Sequence, residues 1–397
     1  AKTRKLGRGR KCRTASVASG QRRRGGERRA TDLSRKRNPG ECRRPADPRE
    51  EGCLPARGEA TAVTLRLSAI VALALLLGSA AARADTEEDP GIVTLQVENE
   101  KGANPDRNYT SGLRAAWLSG ETRDEHWVRD LAEHFPLINN TDRIRYGFSV
   151  GQSIFTPQDT ESRELVENDR PYAGWLYGGV SMISYDKEKR NLQTLALDLG
   201  VVGPAALGRQ TQNRFHEIID VDKAKGWDNQ LENEPGVLLT YQRSRRVVYL
   251  ESDEYERLGF DIMPHVGGAL GNVMTYGAAG GSVRLGFDLL DDFGPPRIRP
   301  SLPGADFFNT QRGWSGYLFA GSEARLVARN IFLDGNTFRD SHSIDKRTFV
   351  YDIQAGVAIS HGPLRFSYTH VYRSSEIQNQ ERGDRFGSVA LSFVQPF

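Results

Sequence analysis

Asn191–Val202, NLQTLALDLGVV, alternates with a period of two: Leu195, Leu197, Leu199 and Val201 point one way, Thr194, Ala196, Asp198 and Gly200 the other. Successive side chains of a strand leave on opposite faces, so the stretch reads as a β-strand with one apolar face. The same pattern recurs in Gly91–Glu98, Tyr109–Ser119, Arg143–Phe155, Gly174–Tyr185, Gly236–Arg243, Phe260–Leu270, Tyr276–Phe287, Gly313–Leu326, Thr348–Ser360, Leu364–Tyr372 and Ser388–Phe397. Polar turns containing Gly or Pro separate these segments, and about ten residues is the length a tilted strand needs to cross a bilayer. The expected fold is therefore all-β: a transmembrane antiparallel β-barrel of twelve strands. Aromatics near segment ends (Trp117, Trp175, Tyr177, Trp314, Tyr317, Tyr368, Tyr372) suit interfacial girdles. The chain finishes on Phe397, which shares a face with Val389, Leu391 and Phe393. A soluble sandwich or lipocalin-like barrel would alternate in the same way, so the membrane reading leans on what precedes the first strand.

That leader has two parts. Residues 1–62 hold 19 Lys+Arg against 7 Asp+Glu with almost no aromatic or β-branched content, too little apolar surface to offset the entropy of ordering a chain. This segment reads as a basic, mis-assigned or disordered extension. Residues 63–84 read as a secretory signal peptide: Arg66, the apolar run Leu67–Leu77, then Ala82-Arg83-Ala84 as an A-x-A cleavage site. With residues 1–84 set aside, 21 of the 54 basic and 7 of the 51 acidic residues leave. The domain at 85–397 then carries a net charge of −11 in place of +3. Nucleic acid is not expected as a partner of an exported acidic chain. All three cysteines (Cys12, Cys42, Cys53) lie in the extension, at spacings that give no zinc-type C-x-x-C pair and leave the exported part without disulfides.

One region breaks the strand rhythm. Gly203, Pro204 and Gly208 open a loop, and a helical pattern runs from about Arg209 to Ala224. At helical spacing Phe215, Ile218 and Ile219 form an apolar face with Gln212 and His216 along its border. A helix inside a loop at a barrel rim is the usual form of a covered active site. His216 is the candidate general base, since a neutral imidazole takes up a proton near neutral pH; the bland alternative is a surface histidine bonded to a neighbour. The remaining histidines of the domain (His126, His134, His265, His342, His361, His370) sit in no comparable polar cluster of sequence. Carboxylates at Glu100, beside Asn99, and at Asp220 and Asp222 are hard oxygen donors of the kind that suit Ca²⁺ better than zinc, or else solvated rim charge. No serine stands in a G-x-S-x-G elbow, and Gly277–Gly281 follows no phosphate-loop pattern.

Asn99-Glu100, Asp106–Gly112 (DRNYTSG), Asp169–Gly174 (DRPYAG), Gly200–Pro204 (GVVGP), Gln212–His216 (QNRFH) and Gly226–Gln230 (GWDNQ) resemble, in this order, the lipid A 3'-O-deacylases of the LpxR family. The resemblance spans residues 90–397. It implies a bacterial outer-membrane barrel, with its short active-site helix in an extracellular loop, that hydrolyses the 3'-linked acyloxyacyl ester of lipid A in lipopolysaccharide and requires Ca²⁺. On that resemblance His216 is the catalytic histidine that activates water, Gln212, Asn99 and Thr110 shape the site, and Glu100 and Asp222 are the carboxylates near the metal. Two departures stand out. Glu100 replaces the family's usual aspartate, and Thr156–Arg170 lacks the lysine some members carry, leaving Arg163 or Arg170 as substitutes. The competing classes are a non-catalytic porin or binding barrel and an outer-membrane phospholipase.

Overall fold

The computed structural model describes residues 91–100, 108–121, 130, 138, 143–252, 258–287, 289, 292–296, 298, 307–308, 311–378, 380 and 382–395. Residues 1–62, expected as a basic extension, residues 63–84, expected as a signal peptide, and Phe397 lie outside the described residues. Thirteen strand segments follow one another: β1 Gly91–Asn99, β2 Asn108–Leu118, β3 Arg143–Thr156, β4 Ala173–Tyr185, β5 Asn191–Val202, β6 Glu234–Arg245, β7 Val248–Glu251, β8 Leu258–Leu270, β9 Met274–Phe287, β10 Gln311–Asn330, β11 Phe349–Gly362, β12 Leu364–Arg373 and β13 Asp384–Gln395. Each pairs antiparallel with its neighbour, β13 returns to β1 in register from Gly91↔Gln395 to Asn99↔Gly387, and β6 joins β8, so the sheet closes.

The thirteen segments make twelve staves. β6 pairs with β8 as far as Ser244↔His265, and β7 resumes on the same partner at Val248↔Ile262, one residue out of step. One strand therefore carries a β-bulge at Arg246–Val247, and the alternation of Gly236–Arg243 gave no warning of its continuation. Elsewhere the expected strands stand where the alternation put them, Asn191–Val202 to the residue.

Polarity is inverted relative to a soluble domain. Leu95, Val97, Phe148, Val150, Leu199, Val266, Leu318 and Ile353 face outward and are exposed, while Thr94, Gln96, Glu98, Gln242, Asp261, Arg284, Glu323, Arg325 and Asp352 face inward and are buried. An apolar band of this extent is stable only against lipid. Among the described residues no helix is long and apolar enough to cross a membrane; the strands make the crossing. The expected aromatic girdle is partly corrected: Trp314 and Tyr368 face outward, but Trp175, Tyr177 and Tyr317 are buried. Trp175 and Tyr177 belong to a core cluster inside the barrel, where alternation alone cannot say which face is the lipid one.

Side chains fill the lumen. At one end the short helix Ile331–Asp334 inserts Phe332, whose ring stacks on Phe155 with centroids 3.8 Å apart. At the other, Phe293 and Phe307 from the β9–β10 connection pack with Tyr185. Between them run buried ion pairs: Arg284 and Arg246 on Asp261, Arg365 on Asp292, and Arg325 and Arg373 on Asp352.

Candidate active site at the helix-bearing rim

Gly203 begins the site's architecture. Its φ of 103° is closed to L side chains, and a Cβ there would stand 2.6 Å from the Glu232 carbonyl oxygen. The chain then makes a 3-10 turn over Pro204–Ala206, passes through Leu207 in the left-handed region, and enters helix α1, Gly208–Ile219. The start of α1 lies close on the barrel wall, because a Cβ on Gly174 of β4 would come within 3.3 Å of the Gly208 backbone. Gln152 of β3 adds a hydrogen bond from its Nε2 to the Ala206 carbonyl at 2.6 Å.

α1 ends at Ile219, five residues before the expected Ala224, and is capped by Asp220, whose φ of 57° is left-handed. That break brings the chain back over His216. The N–H groups of Asp220 and Val221 both donate to the His216 carbonyl, and His216 Nδ1 stands 2.6 Å from the Asp222 carbonyl oxygen. A carbonyl only accepts, so Nδ1 carries the hydrogen, and in the neutral imidazole Nε2 is left with the lone pair. Non-glycine residues at positive φ are rare, and among the described residues two of the three, Leu207 and Asp220, bracket this helix.

The helix is turned differently from its sequence reading. Gln212 and His216, expected on the border, form the buried face at 3% exposure each, whereas Phe215 and Ile218 are exposed; the side chain of Ile219 lies outside the described ones. Gln212 Oε1 accepts from the indole Nε1 of Trp227 at 2.8 Å. Trp227 is fully buried, with its ring 5.0 Å from that of Tyr172, in a cluster with Ile154 and Ala224. Burial pushes the Tyr172 phenol up to about 12, with the Asp159 charge adding to the rise. The outer flank of α1 is charged: Lys223 and Arg214 both hold Glu217 and keep its carboxyl below the usual range. Trp227 and Tyr172 were missed as site residues. Their signal in sequence was the Gly226-Trp227 pair after the helix, an aromatic with no strand to belong to.

A second group gathers at the tips of β1, β2 and β3. Asn99 closes β1 opposite Ser111, and the Glu100 N–H donates to the Thr110 carbonyl at 3.4 Å. Thr110 is the extra residue of a bulge between β2 and β3, whose register slips between Tyr109 and Ser111. The bulge aims its hydroxyl at Thr156 Oγ1, 2.7 Å away. Glu100 and Thr110 are buried and Asn99 is half-buried. The structure thus assembles Asn99, Glu100 and Thr110 at one set of strand tips, and Gln212 with His216 on the buried face of a helix packed on β3 and β4.

Asp222 reaches His216 through its backbone. Its side chain is exposed, and what it brings to the site is its backbone carbonyl. Among the described residues no three His, Cys, Asp or Glu side chains come together to hold a metal ion. The donors that fit calcium are hard oxygens at the β1–β2 tips, led by the buried carboxylate of Glu100. Neither arginine stands in for the family lysine in an evident way: Arg163 is exposed, and Arg170 is buried against Glu376 at 3.1 Å. His265, set aside by its sequence neighbours, does stand in a polar cluster, with Nε2 3.1 Å from Glu323 Oε2 inside the lumen.

The family model described as outer membrane protein LpxR matches residues 69–394. The chain belongs to the LpxR family. Among solved structures, LpxR from Salmonella typhimurium aligns at a TM-score of 0.60 and 23% identity, over 76% of this chain and 99% of that one. The β domain of the Bordetella autotransporter BrkA aligns at only 0.38 and 10%, over 79% and 100%. A comparison with curated protein sequences finds no match. Membership places the closed twelve-stave barrel in the bacterial outer membrane, in a family of lipid A-modifying barrels.

Proposed function

We propose that this LpxR-family barrel is a lipid A deacylase that hydrolyses the 3'-linked acyloxyacyl ester, with His216 as general base. The observation that carries the reading is the anchored imidazole: Nδ1–H is spent on the Asp222 carbonyl, and the ring belongs to the buried face of a helix seated on the outer wall of β3 and β4. Nε2 takes a proton from water as its oxygen bonds to the ester carbonyl carbon. The tetrahedral oxyanion then collapses, the bond to the sugar oxygen breaks, and the same proton passes to the leaving 3'-oxygen. The products are an acyloxyacyl acid and a free hydroxyl. Asn99, Thr110 and Gln212 supply polar groups that shape the site, with Trp227 fixing the Gln212 amide through its carbonyl oxygen. A calcium ion held by Glu100 would stabilise the oxyanion as a Lewis acid.

The amphipathic circumference of α1 supports a substrate drawn from the membrane. Phe215 and Ile218 on one exposed flank and the Glu217 ion pairs on the next suit a helix lying at the lipid–water boundary. The filled lumen disfavours the porin alternative. The test is mass spectrometry of lipid A from cells expressing the exported chain, its His216→Ala and Glu100→Gln variants, and the chain with a calcium chelator. Loss of the 3'-linked acyloxyacyl unit in the unmodified chain alone supports the reading; unchanged lipid A in every arm sinks it.

A further inference from the structure

Strand register fixes what lies on the outer wall beneath the site. Asn99 of β1 pairs with Ser111 of β2, Ser111 with Ile154 of β3, and Ile154 with Gly174 of β4. Side chains return to the same face every second residue, so the next outward row is Val97, Leu113, Gln152 and Leu176, and the one below it Leu95, Ala115, Val150 and Gly178. Large apolar side chains are exposed at Leu95, Val97, Leu113 and Val150, but the lower row is small at Ala115 and Gly178. A Cβ on Gly178 would meet nothing nearer than 3.9 Å. The result is a groove of about 370 Å³ lined by Leu95, Val97, Leu113, Ala115, Val150 and Leu176. The row below it is closed by Trp117 stacked on Phe148, with centroids 6.0 Å apart.

We propose that this groove seats the acyl chain whose ester His216 cleaves, an inference that rests on the deacylase reading. Three features select that occupant. The groove begins one row below Asn99 and Ser111, and its upper margin, Gln152, is the residue that hydrogen-bonds the turn leading into α1. Four residues from Asn99 to Leu95 span roughly 13 Å at ~3.3 Å per residue, about half of the ~25 Å apolar band of an outer-membrane barrel and so about one leaflet. Its lining is apolar on a wall that already faces lipid. A chain passing from bulk lipid into the groove gains little from the hydrophobic effect, because lipid tails are as apolar as leucine. The groove works by alignment: a chain held along β1–β3 brings its carbonyl up to the strand tips in one register.

The groove is tested by filling it. Ala115→Phe is expected to lower kcat/KM on long-chain lipid A by about tenfold, the scale of a small misplacement of the reacting group, and to leave a short-chain ester analogue unaffected. Ala279→Phe, the same enlargement on the exposed face of β9, leaves both substrates unchanged. Equal effects of Ala115→Phe on both substrates, or none on either, overturn the proposal. A readout independent of chemistry separates it from the deacylase reading. The three native cysteines lie at 12, 42 and 53, ahead of the barrel, so Leu113→Cys in the exported chain takes a single nitroxide at the groove's edge. In the His216→Ala background, immobilisation of that label by long-chain but not short-chain lipid A supports the groove even should deacylation fail. A label indifferent to chain length removes the groove while leaving the deacylase reading intact.

Discussion

His265 and His216 are both nearly buried, at 6% and 3% exposure, and each is anchored through one ring nitrogen. His265 Nε2 meets Glu323 Oε2 at 3.1 Å, and His216 Nδ1 meets the Asp222 carbonyl at 2.6 Å. By residue type the first pair looks more catalytic, a histidine oriented by a carboxylate. Its surroundings point elsewhere: Glu323 also binds Arg325, Arg325 binds Asp352, and Asp352 binds Arg373, so the cluster compensates its own charge within a filled lumen. His216 belongs to a helix on the outer wall, bracketed by two left-handed non-glycine residues and flanked by exposed Phe215 and Ile218. A buried polar network that satisfies itself holds a barrel together; one built at a strained helix on the lipid side is the setting on which the proposed deacylase role of His216 rests.

The sharpest break of this contrast is His216→Ala. Loss of a general base is expected to cost ~10²–10⁴ in kcat, with heat-modifiable migration of the barrel on gels unchanged. Loss of folding instead would make His216 a structural residue like His265. The mirror experiment is Asp352→Ala. It leaves Arg325 and Arg373 without their shared carboxylate, and removing one partner of a buried ion pair costs about 3–5 kcal/mol. Unfolding in urea is expected to shift by that order, while activity per folded molecule stays. A kcat loss as large as that of His216→Ala would move the chemistry into the lumen.

The outer wall was legible because a bilayer-crossing strand must alternate along its whole length, and Asn191–Val202 does. Which face met lipid was less legible: the lumen accepts aromatics as readily as the girdle does, so Trp175, Tyr177 and Tyr317 were misplaced. The helix was found but drawn too long, because apolar periodicity carries no sign of a left-handed residue such as Asp220. For the same reason the contact of the Asp222 carbonyl with His216 was not legible. A role played by a backbone carbonyl leaves no trace in residue type, and Asp222→Asn is expected to leave activity near that of the unmodified chain.

Trp227→Phe probes the support of the site. It keeps the packing on Tyr172 and removes the donor to Gln212 Oε1, leaving a buried acceptor with one partner fewer at a cost of about 1–3 kcal/mol. Activity is expected to fall by about tenfold, the equivalent of ~1.4 kcal/mol, and barrel stability to be unmoved, since the loss is local to α1. An equal fall in urea stability would show that the helix and the barrel unfold together.

The smallest effect lies in the same cluster and is read by pH. Burial raises the Tyr172 phenol from 10.0 to about 12, so the docked loop holds that proton to higher pH than the free chain does. The contribution of Tyr172 to docking is therefore whole below pH 10 and is lost as pH rises through about 12. Its ring lies 5.0 Å from that of Trp227, so ionisation is expected to quench the indole with a midpoint near 12. In Tyr172→Phe that component of the titration should vanish while the other tyrosines titrate as before. A component with its midpoint at the free-phenol value would mean that Tyr172 is solvated and the loop carrying it is not closed over Trp227. The pocket holding Gln212 would then be open on the side where water, rather than lipid, reaches it.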